Sequence, residues 1–182
     1  MKTVALLLSA GHGSRFGAAQ PKQFLPLLGR PVLRHAAEAL LAEGLVAALQ
    51  PVAPAGEEAF VASLLQGLPC LPVVAGGATR EDSVRAGLAA IAAEAPDHVL
   101  VHDAARPVIP KGTIPALLAA LEQHQGAIPA QPVADTLKRA AAGVIAATVP
   151  REGLFRAHRR KSFRAPVQRS LTAAAFSSHG MP

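Results

Sequence analysis

The sequence predicts an α/β fold, a mostly parallel sheet with helices on both faces. Short apolar runs alternate with longer stretches of helical period, as repeated βαβ units require. Aromatic residues are scarce, with six Phe and no Trp or Tyr, which leaves Leu, Val, Ile and Ala to build a core of helices packed on parallel strands. A hydrophobic fraction of 51% over 182 residues is enough for one sizeable core.

The elements follow in order. Residues 4–8 form a buried first strand. Lys2 ahead of that run imitates a secretory leader, but the run is short and continues toward Arg15 and Lys22 without a cleavage site. Pro31 opens a helix to about residue 42, with Val32, Leu33, Ala36, Leu40 and Leu41 on one side and Arg34, Glu38 and Glu43 on the other. A second strand lies near residues 45–52 and a helix near 57–65. A third strand at about 71–74 ends in Gly76 and Gly77, and Thr79 caps a helix running to about residue 94. The fourth strand, 99–102, ends in Asp103. Residues 111–123 read as a helix, 127–131 as a strand, and 135–149 as two short strands around a turn near Ala142 and Gly143.

Charge is unevenly spread. The net charge is +6, yet residues 1–150 carry eleven Lys or Arg against eleven Asp or Glu. The excess is Arg151, Arg156, Arg159, Arg160, Lys161, Arg164 and Arg169, opposed only by Glu152. This basic segment lacks interleaved aromatics or a recognisable binding module, so no nucleic-acid partner is expected. No apolar stretch is long enough to span a bilayer, so no membrane partner is expected either, and a cytoplasmic location follows. Cys70 is the single cysteine. It excludes a disulfide scaffold and, with no neighbour in sequence to lower its pKa, reads as a small buried hydrophobe.

Ligands of an open parallel sheet bind beyond the carboxyl ends of its strands, which directs attention to residues 9–22, 76–83, 102–107 and 135–139. The first of these reads Ala10, Gly11, His12, Gly13, Ser14, Arg15, and later Pro21, Lys22, Gln23. Two glycines let the backbone turn with its N–H groups inward, and Arg15 and Lys22 add positive charge, the makings of a polyphosphate cradle. Taken alone, such a GxG is equally a surface turn with two solvated cations. Phe16 stands where a dinucleotide fingerprint needs its third glycine, and no GKS or GKT follows as in a Walker loop.

The GxGxR loop, the Pro21-Lys22-Gln23 triplet, and Leu25, Pro26, Leu27 and Gly29 ahead of the helix at Pro31 together resemble the nucleotidyltransferases that activate sugars and polyols. Later segments narrow the likeness to the 2-C-methyl-D-erythritol 4-phosphate cytidylyltransferases. Residues 76–84 resemble that family's GGxxRxxSV segment, residues 102–107 reproduce HDAARP, and residues 129–139 and 148–154 are similar to its PxxPVxDTLKR and TVxRxGL stretches. Ala78 and Pro150 occupy places where the family usually has Asp.

The resemblance implies a Rossmann-like fold with a β-arm near residues 133–151. It implies transfer of CMP from CTP to 2-C-methyl-D-erythritol 4-phosphate with release of pyrophosphate and with Mg²⁺, in the non-mevalonate route to isoprenoid precursors. Arg15 and Lys22 would be catalytic; Ala10, Gly11, Gly13, Gly77 and Ser83 would bind the nucleotide. Asp103 and Arg106 would face the acceptor, with Asp103 also the candidate metal ligand. Thr136 and Arg151 would reach a neighbour's acceptor site across a homodimer formed through the arm. His102 reads as structural. Two alternatives remain open: a ribitol 5-phosphate cytidylyltransferase, which shares the loop and the PKQ triplet but is disfavoured by the unbroken HDAARP, and an inactive remnant that at most binds CTP. The likeness is expected to end near residue 157, because the chain reads His158, Arg159, Arg160, Lys161, Ser162, Phe163 where the family has QTPQxF. Residues 1–157 are therefore expected to be a cytidylyltransferase domain incomplete at its C-terminus, and 158–182 a poorly ordered basic tail from a frameshift or truncation.

Overall fold

The computed structural model describes residues 1–11, 20–157 and 161–164. Along the chain come β1 (Thr3–Leu8), a small hairpin of β2 (Pro26–Leu27) and β3 (Arg30–Pro31), α1 (Val32–Leu41), β4 (Ala48–Ala53), α2 (Glu58–Leu64), β5 (Val74–Ala75), α3 (Arg80–Ala90) and β6 (His98–Asp103). Then follow α4 (Thr113–Gln123), β7 (Gly126–Ala127), β8 (Ala130–Pro132), β9 (Leu137–Ala141), β10 (Val144–Val149), β11 (Phe155–Ala157) and β12 (Lys161–Arg164).

The main sheet has the order β5-β4-β1-β6-β12-β7. β5, β4, β1 and β6 run parallel, while β12 is antiparallel to both β6 and β7. Alternation along β1 divides its side chains between two layers. Ala5 and Leu7 join Leu33, Ala36, Ala37 and Leu40 of α1, Val61 of α2 and Ile114 of α4. Val4, Leu6 and Leu8 join Val84 and Leu88 of α3. Each large side chain taken out of water here contributes about 1.5–3 kcal/mol. Burial on both faces explains why β1 reads as an unbroken apolar run.

Gly87 sets how closely α3 approaches the sheet. A Cβ there would lie 2.9 Å from Val52 Cγ2 and 3.2 Å from the Leu6 methyls. The small residue lets the helix settle against β1 and β4. The N-terminus of α3 is thereby delivered to the carboxyl edge of the strands.

The arm is longer than the sequence suggests. β8 pairs with β11 at its base and β9 with β10 beyond, so it spans residues 130–157. Ala142 and Gly143, at φ +48° and +80°, make the two-residue hairpin turn that the sequence places there. Val144 and Ile145 beside the turn are 70% and 65% exposed.

Three expectations are corrected. The third strand shrinks to Val74–Ala75, with only an isolated bridge between Cys70 and Leu49 before it. Pro72 interrupts it, since a proline has no N–H to give the ladder. The strand expected at 127–131 is two strands, β7 in the main sheet and β8 in the arm, and Pro129 falls between them. Residues 161–164, expected to lie in a tail outside the domain, form β12 inside the sheet, with Phe163 in register with Val99 and Gly126. Backbone pairing needs only N–H and C=O groups, so the run of basic side chains that marks this stretch does not prevent it.

Cys70 is half-buried and unpaired, and burial pushes its thiol up against an opposing pull from Arg34. That environment suits a packing residue more than a nucleophile. Among the described residues, no helix is long and apolar enough to cross a membrane.

Candidate active site

The carboxyl ends of β1 and β4 meet the loop after β5 in close contact. Ser9 is held by two bonds to the Val52 carbonyl, from its N–H and its hydroxyl, each 2.8 Å. Gly76 N–H donates to Ala53 O at 2.7 Å. A Cβ on Gly76 would stand 2.4 Å from Ala10 Cβ and 2.7 Å from Ser83 Oγ. Ala10, Gly76 and Ser83 therefore form one packed seam, and Gly11 lies exposed beside it.

Gln23 fastens the other side of the loop. Its buried side-chain amide donates to Ser9 O at 2.6 Å and to Gly11 O at 2.9 Å. Lys22, next to it in a 3-10 turn, is exposed. The loop is thus anchored at both ends, with a cation adjoining the anchor. Arg15 and Gly13 lie outside the described residues.

α3 begins with a capping box. The Thr79 hydroxyl accepts from Asp82 N–H at 3.1 Å, and the Asp82 carboxylate accepts from Thr79 N–H at 3.2 Å and from its hydroxyl at 2.7 Å. Ser83 Oγ accepts from Gly77 N–H at 3.2 Å and donates to Thr79 O at 3.0 Å. Its hydroxyl therefore closes the glycine turn onto the helix. Gly77 has no room for a side chain, since a Cβ would meet Asp82 Cβ at 2.3 Å.

Hydrogen bonds from the Thr79 hydroxyl and then its N–H hold the Asp82 carboxyl below its ordinary value, aided by Arg85. A depressed folded-state pKa means that the cap stabilises fully above the unfolded carboxyl value, about 4, and that this contribution fades as pH falls through the folded value. Asp82→Asn should therefore be less stable than the parent at neutral pH, with the gap closing below about pH 4. Circular-dichroism melts across that range check it; a gap constant with pH would count against the cap.

Asp103 ends β6, in register with Leu8 of β1. Its Oδ1 accepts from Arg80 Nε at 3.1 Å and Nη2 at 3.0 Å, and its Oδ2 from Arg106 Nε at 3.3 Å. The Asp103 side chain is 21% exposed and that of Arg106 52%. His102 is fully buried with Nε2 at 2.9 Å from Arg106 O, the structural placement expected of it. The carboxylate thus sits between two guanidiniums at the mouth of the sheet, one strand from Ala10.

Thr136 and Arg151 sit apart from this cluster in sequence and fold, exposed on the arm. The Arg151 guanidinium donates to Ala134 O, which braces the base of the hairpin. Lys138 Nζ reaches Thr148 Oγ1 across β9 and β10 at 2.7 Å.

The described residues do not fit a protein-built Mg²⁺ site. They contain no group of three or more His, Cys, Asp or Glu side chains able to hold a metal. Asp103, the expected ligand, has both oxygens engaged by guanidinium N–H groups. A cation on the same carboxylate would meet the positive charge of both guanidiniums.

Comparison with known proteins adds the decisive observation. The family model for IspD, 2-C-methyl-D-erythritol 4-phosphate cytidylyltransferase, matches residues 3–180. The chain belongs to that family. The bifunctional enzyme IspD/IspF of Granulibacter bethesdensis is 56% identical over 171 residues, covering 94% of this chain and 44% of the relative. The IspD/IspF enzyme of Gluconobacter oxydans is 48% identical over 172 residues, covering 90% and 43%. A crystal structure of 4-diphosphocytidyl-2C-methyl-D-erythritol synthase superposes with a TM-score of 0.77 at 34% identity, covering 96% of this chain and 80% of that one. The chain spans less than half the length of these curated relatives.

The cytidylyltransferase family match also corrects where the likeness ends. It runs through residue 180, past the expected break near 157, in keeping with β12 taking a place in the sheet. Two residues that shape the site were missed as functional candidates. Arg80 and Gln23 both lie within segments that resemble the family, but neither partner is near in sequence: Arg80 grips Asp103 and Gln23 grips the end of β1. An Arg in the first helical position, three residues past a strand-end glycine pair, was the available signal for the first. For the second, the signal was a lone amide between Lys22 and an apolar run.

Proposed function

We propose that the chain transfers the cytidylyl group of CTP to 2-C-methyl-D-erythritol 4-phosphate and releases pyrophosphate. The observation that carries this reading is the convergence, at one edge of the sheet, of the Ala10–Gly76–Ser83 seam, the Gln23-anchored loop bearing Lys22, and the Arg80–Asp103–Arg106 cluster. Family membership supplies the substrates.

A phosphate oxygen of the acceptor attacks the α-phosphorus of CTP, a new P–O bond forms, and the bond from that phosphorus to the bridging oxygen breaks. Its electrons leave with pyrophosphate. The nucleophile is already anionic, so no side chain has to remove a proton from it. Catalysis then rests on bringing two anions together and on cationic groups matched to the charge that develops. Lys22 and Arg15 take that role toward the triphosphate. Ala10, Gly11, Gly13, Gly77 and Ser83 hold the nucleotide, and Asp103 with Arg106 faces the acceptor. Mg²⁺ belongs to this reading as a companion of the nucleotide's own phosphates. Thr136 and Arg151 are proposed to serve a second subunit through the arm, giving a homodimer, and the proposed location is the cytoplasm.

Pyrophosphate release from CTP with 2-C-methyl-D-erythritol 4-phosphate tests the reading, with ribitol 5-phosphate as the competing acceptor. The erythritol compound should be preferred. Mg²⁺ alone should leave the thermal midpoint within about 1 °C, while CTP with Mg²⁺ at about a hundred times its Kd should raise it by several degrees. No pyrophosphate and no CTP-dependent shift would remove the proposal.

A further inference from the structure

Asp103 is more tightly specified than a strand-end carboxylate needs to be. A carboxylate offers about four lone-pair positions, and three N–H groups already use it: Arg80 Nε and Nη2 on Oδ1, and Arg106 Nε on Oδ2. The side chain stays 21% exposed, and no described N–H uses the second position on Oδ2. Two cations on opposite oxygens also fix the plane of the carboxylate. Rotation about the Cβ–Cγ bond would break the bonds to both arginines.

Arg80 is not required to start its helix. The capping box is made by Thr79 and Asp82, and a partly exposed ion pair contributes little to stability. Its fork instead spans from the first turn of α3 to the end of β6, 23 residues along the chain. Resting on the cytidylyl-transfer reading, we propose that Arg80 is a positioning residue for the acceptor. It locks Asp103 so that one lone pair of Oδ2 meets one hydroxyl of the polyol phosphate, while the shared carboxylate aims the Arg106 guanidinium at the acceptor's phosphate. Asp103 is then a hydroxyl acceptor and an orienter of arginine, in place of a metal ligand.

Steady-state kinetics of Arg80→Gln, Arg80→Lys, Asp103→Asn and the Arg80→Gln/Asp103→Asn pair test this. Arg80→Gln should raise KM for the polyol phosphate by about tenfold or more while KM for CTP stays within about twofold. Arg80→Lys, which keeps the charge but loses the fork, should fall between Arg80→Gln and the parent. Because Arg80 acts through Asp103, the double variant should be no worse for the acceptor than Asp103→Asn alone. An unchanged acceptor KM, an equal rise in both KM values, or losses that multiply in the double variant would overturn the assignment. If Arg80→Gln fails to fold, the Arg80→Lys split between the two KM values decides. A parent chain that releases no pyrophosphate defeats the cytidylyl-transfer reading and this assignment with it; an active parent with an indifferent Arg80→Gln defeats the assignment alone.

Discussion

Lys22→Ala should lower turnover by about 10²-fold or more, the scale on which removing one group matched to developing charge acts. The thermal midpoint should move far less than turnover, because a change at an exposed side chain is usually worth only about 0.5 kcal/mol. Structure separates the two effects. Gln23, not Lys22, carries the bonds to Ser9 O and Gly11 O that anchor the loop, so deleting the ammonium removes charge without releasing the backbone. Pyrophosphate release and a melt on the same preparation supply the check. Near-normal turnover in a folded Lys22→Ala protein would be incompatible with a catalytic role for this lysine.

The second large effect is expected at Gly76. An added methyl would sit 2.4 Å from Ala10 Cβ, 2.7 Å from Ser83 Oγ and 3.3 Å from the Ala53 carbonyl. None of these is the far end of a flexible side chain, so strand ends and helix start must part. Overpacking of this kind costs about 1–3 kcal/mol, a drop of several degrees in midpoint for a chain of this size. CTP affinity should fall with it, since the same seam is the proposed nucleotide wall. Gly11→Ala is the contrast, because no atom of the described residues lies within 4 Å of the methyl it would add. Its midpoint should match the parent's. Equal melts for the two variants would show that the seam has room to take up a methyl.

The parts of this fold that were legible are those whose physics is local. β1 shows itself because both faces are buried, α3 because Thr79 and Asp82 form a box within one turn, and the arm's turn because Gly143 tolerates the left-handed backbone that a two-residue hairpin demands. The Asp103 neighbourhood was legible as a strand end carrying charge. What escaped was set by distant neighbours. Arg80 can be matched to Asp103 only once β6 is known to lie beside β1, and β12 is hidden because its composition reads as solvated charge while its backbone completes a ladder. Likewise, Asp103 as a metal ligand is a fair reading of an acidic residue at a strand end, and only the two guanidiniums bonded to it argue otherwise.

The placement of β12 bears on the order of assembly. It lies between β6 and β7, although it comes after both in the chain, so those two strands cannot become its flanks until the segment from 126 to 164 has looped out and returned. During synthesis from the N-terminus, β4, β1 and β6 can zip together from chain already made, whereas the far margin waits for residues some sixty positions beyond β6, a separation that follows from the Val99–Phe163 register. Closing so long an excursion is entropically slow. A nascent chain therefore passes through a stage in which one ladder rim of β6 is open to any extended peptide, a period when chaperone shelter would matter most.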